Sequence, residues 1–283
     1  GADGTAKFTA DLPLGFSYDV KEVQAPEGYV RNTEDVYTFA LSYTNDKEAK
    51  QTFKHTFKNE RVTAKISLQK QDKETKKAVP QGDATLEKAV YGLYAREDIV
   101  HPDGATGAVY KAGEQVATLT TDKNGQASVD GLYLGNYYVK EITPPTGYLV
   151  DEEEHDLVCN YEGDLVAEVK RDCLSLEQVM RQPFQIIKAA NNGKTDADLL
   201  KGAGFTAYLV SSLKVNEDGS YDFDSAKPVV IGENGATEIF TDEKGYACSI
   251  AIPYGTYIVR ETTTPHNYTP VDDFIVQITD YFL

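Results

Sequence analysis

Along this chain apolar residues recur at every second position over short stretches, separated by clusters of Gly, Asn and Asp. Period-two alternation places successive side chains on opposite faces of an extended strand, and the intervening residues are those that turn a chain, so the pattern predicts short β-strands throughout. No window carries a sustained helical stripe. The best helical candidate, LSLEQVMRQ from Leu174 to Gln182, is too polar to make one.

The alternation repeats over long distances. YDVKEVQAPEGY (Tyr18 to Tyr29), YYVKEITPPTGYLV (Tyr137 to Val150) and YIVRETTTPHNY (Tyr257 to Tyr268) share the pattern Y-x-x-x-E-x-x-x-P. The first two continue as x-G-Y; in the third Asn267 replaces Gly, a residue that also tolerates positive φ. Their glutamates are spaced by 141 − 22 = 119 and 261 − 141 = 120 residues, a period of duplicated domains and not of a short-unit solenoid. Upstream, TTDKNGQASVDGLYLGNY (Thr120 to Tyr137) parallels FTDEKGYACSIAIPYGTY (Phe240 to Tyr257), and the opening ADGTAKFTADLPLGFSY is read the same way, as turn and strand in alternation. A strand ending in Lys begins each repeat, at ISLQKQD (Lys70) and at FQIIK (Lys188). These landmarks divide the chain into the back half of a unit over 1–60, a complete unit over 61–176, and a unit lacking its final strand over 177–283.

Within each strand the phase is unusual. Tyr18, Val20 and Glu22 share a face, as do Tyr137, Val139 and Glu141, and Tyr257, Val259 and Glu261. Ile66 and Leu68 share theirs with Lys70, and Phe184 and Ile186 with Lys188. A carboxylate and an ammonium both turned inward are costly unless paired or neutralised, so a buried Lys–Glu pair is expected for Lys70 with Glu141 and for Lys188 with Glu261.

The box, with its upstream K-x-D (Lys70-Gln71-Asp72), resembles the collagen-adhesin B-type, or SpaA-like, domains of Gram-positive adhesins and pilins. The resemblance covers essentially the whole chain. It implies an all-β fold of tandem transthyretin-like sandwiches with antiparallel strands. It also implies an internal isopeptide bond from a first-strand Lys to a last-strand Asn or Asp, promoted by the box Glu: Glu22, Glu141 or Glu261. Asn59 shares the inward face of Phe53, His55 and Phe57 and fits the acceptor role, its Lys falling before Gly1. Lys188 would find its acceptor beyond Leu283. For Lys70, spacing back from the next Lys strand lands on Glu177, whereas the acceptor type implied by the family makes Asp172 the expected partner. Asp172 alternates with the outward set, so a bulge would be needed to turn it in.

The net charge of −17 disfavours nucleic acid and anionic membrane surfaces. No stretch has the length of a membrane span. Cys159, Cys173 and Cys248 make no framework and are expected as thiols, with a Cys159–Cys173 disulfide as the alternative. His55, His101, His155 and His266 have no metal-ligand spacing; no metal or cofactor is expected. Acid-rich Val215 to Asp224 is read as a hairpin turn, and Glu97 to Glu114 as an inserted loop. Together these imply a structural stalk or pilin-like module, not an enzyme, on the wall-anchored extracellular surface of a Gram-positive bacterium, with further repeats of the parent protein as partners. The alternative is an adhesin gripping a host protein or glycan through its loops.

Overall fold

The computed structural model describes residues 1, 4–45, 50–191, 193 and 198–280, so part of the polar stretch after Lys188 and the chain's last residues lie outside the described set. Among the described residues strands dominate, and helix is confined to two short 3-10 turns at Val210–Ser212 and Glu233–Gly235.

The middle unit is a sandwich. Its four-stranded sheet runs in the spatial order Glu154–Cys159, Gly135–Thr143, Val90–Ala95, Gln115–Thr120; its three-stranded sheet runs Glu168–Glu177, Thr63–Asp72, Gln126–Leu132. Burial in the Lys strand Thr63–Asp72 alternates without a break, so that Ala64, Ile66, Leu68, Lys70 and Asp72 all face inward. Tyr91, Leu93, Tyr137, Val139, Val169 and Cys173 complete the core between the sheets. Each such large apolar side chain contributes roughly 1.5–3 kcal/mol on burial. The pairings are antiparallel save one: the closing strand Glu168–Glu177 runs parallel to the Lys strand, from Glu168↔Thr63 to Glu177↔Asp72. Parallel neighbours need a long crossover, here the whole interior of the unit, and the pairing brings its first and last strands together.

The third unit repeats the larger sheet, in the order Glu238–Phe240, Gly204–Leu209, Gly255–Thr263, Phe274–Ile278. Against it lies Gln185–Ile187, paired with Tyr246–Cys248. Arg181–Gln182, paired with Ile252–Pro253, leads into this Lys strand, and residues up to Glu177 belong to the closing strand of the preceding unit. The acid-rich stretch is a hairpin, Lys214–Val215 against Tyr221–Asp222.

In the first unit a hairpin pairs Phe16–Lys21 with Val36–Leu41, and among the described residues no strand precedes it, contrary to the reading of the opening segment. Residues 50–60 run beside the hairpin through rings: Phe53 stacks on Phe39, and His55 on Tyr37. Phe8, Phe16, Val20 and Phe53 are exposed.

Candidate functional site

In the middle unit the site lies between the sheets, at the end of the core. Lys70 is 0%, Glu177 1% and Glu141 4% exposed, so all three charged groups are removed from water. Lys70 Nζ donates to Glu141 Oε1 at 3.2 Å and is in direct contact with Glu177 Oε1. Tyr91 OH donates to Glu177 Oε1 and lies 3.0 Å from Ser175 Oγ, which is itself 3.3 Å from Glu177 Oε1. The second oxygen, Glu177 Oε2, is buried without a hydrogen-bond partner.

Backbone geometry sets these positions. In the parallel register Ser175 lies opposite Lys70, and Glu177, two residues on, shares its inward face. Lys70 itself is fixed by the Asp122–Gly125 turn, whose Gly125 carbonyl accepts the Lys70 amide at 2.8 Å. Gly125 has φ +72, and a Cβ there would stand 2.8 Å from the Lys70 carbonyl, so the turn needs glycine to approach. The third unit repeats the device, with Lys188 N donating to Gly245 O at 2.7 Å.

Burial pulls the Lys70 ammonium down to about 8, opposed by the attraction of Glu141. Burial likewise raises Glu141 above the ordinary carboxylate range, opposed by Lys70 and by the Asp151 amide, which donates to Glu141 Oε2 at 2.8 Å. Both shifts favour the neutral amine and the neutral acid. Tyr91 is pushed up by burial and by Glu141, and therefore stays a hydrogen-bond donor.

Asp172 is not in this site. It is exposed, pairs with Ser67 on the outward face, and the strand runs in continuous register with no bulge to turn it inward. The residue that meets Lys70 is Glu177, the position that spacing alone selects.

In the third unit Lys188 Nζ donates to Glu261 Oε2 at 2.7 Å, and the Val271 amide donates to the same oxygen at 2.8 Å. Glu261 Oε1 is buried without a partner. In the first unit Asn59 Nδ2 donates to Glu22 Oε2 at 2.6 Å and to Val30 O at 2.9 Å, and the Asn32 amide also reaches Glu22 Oε2, at 3.3 Å. Each box Glu thus receives the backbone amide ten residues on: Asn32, Asp151 or Val271. Because any residue type supplies that amide, no side-chain pattern announces it.

Sequence reasoning also passed over Tyr91, Ser175, and the pairing of Tyr148 with Asp72. Tyr148 OH donates to Asp72 Oδ2 at 3.0 Å, joining the last residue of the box to the Asp of K-x-D. Asp72, though buried, is held below the ordinary carboxylate range by donors that outweigh its desolvation, from Thr75, Gln81, Tyr148 and Glu74. The third unit has Ala190 where Asp72 would stand, and its box Tyr268 is exposed. A signal was therefore available: K-x-D and a buried box Tyr occur together.

Cys159 and Cys173 are buried thiols and Cys248 is an exposed one. His155 Nε2 lies 3.0 Å from Asp151 Oδ2, and with Glu153 these form a cluster whose ligand atoms could converge on an ion. Among the described residues no helix is long and apolar enough to cross a membrane.

The family model described as SpaA: Prealbumin-like fold domain matches residues 1–56, 64–172 and 183–281. No curated protein matches significantly. Among solved structures, the Bacillus anthracis TIE protein is similar at 24% identity and a TM-score of 0.54, over 95% of this chain and 40% of that one. The shaft pilin SpaA from Lactobacillus rhamnosus GG aligns at 17% identity and a TM-score of 0.29, over 77% of this chain and 94% of that one. GBS52, the minor pilin of Streptococcus agalactiae, aligns at 16% identity and a TM-score of 0.27, over 76% and 90%. The chain spans well under half of the Bacillus protein, and the likeness at this identity is one of fold.

Proposed function

The chain belongs to the SpaA prealbumin-like fold family, and from that premise we propose that it is a load-bearing stalk segment of an extracellular Gram-positive surface protein, its middle unit braced by an isopeptide bond between Lys70 and Glu177. The observation that carries this reading is the enclosure of Lys70, Glu141 and Glu177 in one dry site with the amine against the Glu177 carboxyl.

The chemistry balances without a co-reactant. Burial shifts the Lys70–Glu141 pair toward amine and acid. The Lys70 lone pair attacks Cδ of Glu177, and the developing charge on Oε1 is met by Tyr91 OH and Ser175 Oγ. Glu141 gives its proton to the departing Oε2, takes one from the nitrogen and passes it to the same oxygen, so that one N–C bond forms, one C–O bond breaks, one water leaves and Glu141 ends as the carboxylate. The reaction turns over once and consumes its own site. It modifies the chain that performs it, which makes the unit a self-bracing module and not an enzyme acting on substrates.

The topology supports the mechanical role. A pull entering at Thr63 reaches Lys70, would cross the bond to Glu177, and leaves along the linker, so residues 71–176 carry no load. Single-molecule stretching of the full chain tests this. The middle unit should withhold the 177 − 70 = 107 residues of the closed loop, roughly 350–390 Å of contour length. Full extension of the parent chain would overturn the reading, and Glu177→Ala should restore the missing length.

A further inference from the structure

The turns that end the three boxes are alike. Tyr29 N donates to Pro26 O, Tyr148 N to Pro145 O and Tyr268 N to Pro265 O, at 3.1, 3.3 and 3.1 Å. The third residue of each corner has positive φ: +86 at Gly28, +83 at Gly147 and +71 at Asn267. Asn267 therefore makes the same turn as glycine, and the turn alone does not demand glycine in the first two copies.

What demands it is the following unit at Gly28, and the following unit together with Ala84 of its own at Gly147. A Cβ on Gly28 would stand 2.5 Å from Cβ of Pro102, in the middle unit. One on Gly147 would stand 2.9 Å from the Tyr254 ring of the third unit, and 2.6 Å from Ala84 of its own. Both corners also clasp the linker in the same way. Val30 N donates to Glu60 O and Val62 N to Gly28 O; Leu149 N donates to Gln178 O and Met180 N to Gly147 O.

At the second junction the grip extends further. Tyr254 packs on a separate small core of Ala84, Leu86, Tyr148 and Val179. Its amide donates to Met180 O at 2.8 Å, and its carbonyl accepts from Asp83 N at 2.9 Å. Asp83 Oδ2 accepts the Thr256 amide at 2.9 Å, and Ser211 Oγ donates to Asp83 Oδ1. Arg181 in the linker ties Glu74 and Gln81 to the Ala251 carbonyl.

We propose that the Pro-x-Gly-Tyr corner is the socket of a repeat-to-repeat joint, which receives a ring-bearing loop of the following repeat and locks the two units into one stiff body. Glycine marks a corner that accepts a neighbour in this way. The Asn267 corner, exposed and carrying a side chain where Pro102 and Tyr254 sit at the other two, is closed to such docking.

The test is a spin-label distance measurement in the full chain, from the native exposed Cys248 to a second label at Asp130→Cys, an exposed site in the middle unit. The parent should give one narrow distance peak. Gly147→Asn installs the residue the third corner tolerates and should lose that peak, because its side chain meets Tyr254. Tyr254→Ala leaves the corner untouched and should lose it too. A broad distribution in the parent, or a narrow peak retained in either variant, overturns the proposal. Intact mass of the same samples reads the Lys70–Glu177 bond separately, so failure of the joint and failure of the cross-link are told apart.

Discussion

Replacing Glu177 by Ala removes the acceptor while leaving Lys70 its Glu141 partner, so the variant loses the covalent closure without leaving the ammonium unpaired. The bond closes a loop of 177 − 70 = 107 residues. On the chain-entropy relation for cross-links, a loop of that length restricts the unfolded ensemble by ~4.7 kcal/mol. For a domain of this size that corresponds to a fall in melting midpoint on the order of 15–25 °C. The chain contains its own reporter for the middle unit, since Cys159 and Cys173 are buried in that core while Cys248 is exposed. Pulsed thiol labelling along a temperature ramp, read by mass, should show one fast thiol at every temperature. Two more should become reactive together at the midpoint of the middle unit. In Glu177→Ala that midpoint should drop by the amount stated. A midpoint within about 3 °C of the parent, a change worth under ~1 kcal/mol, would refute the reasoning.

Glu141→Ala should abolish the water loss, whereas Asp172→Ala should leave it intact because Asp172 faces solvent; intact mass reads both. Bond formation during cell-free synthesis should accelerate as pH is raised toward about 8, because burial has lowered the Lys70 ammonium to that value and only the neutral amine attacks. A time course of mass that slows over the same pH range would contradict this. Tyr148→Phe should cost ~0.5–1.5 kcal/mol, since Asp72 keeps its other donors, and Asp72→Ala should cost more, ~1–3 kcal/mol, by leaving the buried Tyr148 hydroxyl unpaired. Thiol-exposure midpoints rank the two.

Repeat period and strand phase were the legible parts of this chain. The inward positions of Lys70, Glu141, Lys188 and Glu261 follow from alternation alone, and in the structure each Lys reaches the Glu of its own unit. Glu177 is legible too, by its distance from the next Lys strand, although the acceptor type implied by the family points to Asp172. Register is the stronger constraint, because a one-residue slip turns every side chain of a strand to the other face. The amides of Asn32, Asp151 and Val271 were not legible, since backbone donors leave no trace in residue type. Nor were the joints, where Gly28 and Gly147 read as turn residues until their neighbours Pro102 and Tyr254 are seen against them. The opening segment misled because its Gly and Asp spacing resembles the later repeats, while its rings Phe8 and Phe16 remain exposed, without an opposing sheet to organise them among the described residues.

The central claim is tested most directly by the intact mass of the purified, denatured chain, followed by fragmentation of the cross-linked peptide. The account predicts a mass lower than that of the sequence by one water, with the linkage between Lys70 and Glu177 and Asp172 unmodified. An unshifted mass, or a linkage to any other residue, would contradict it.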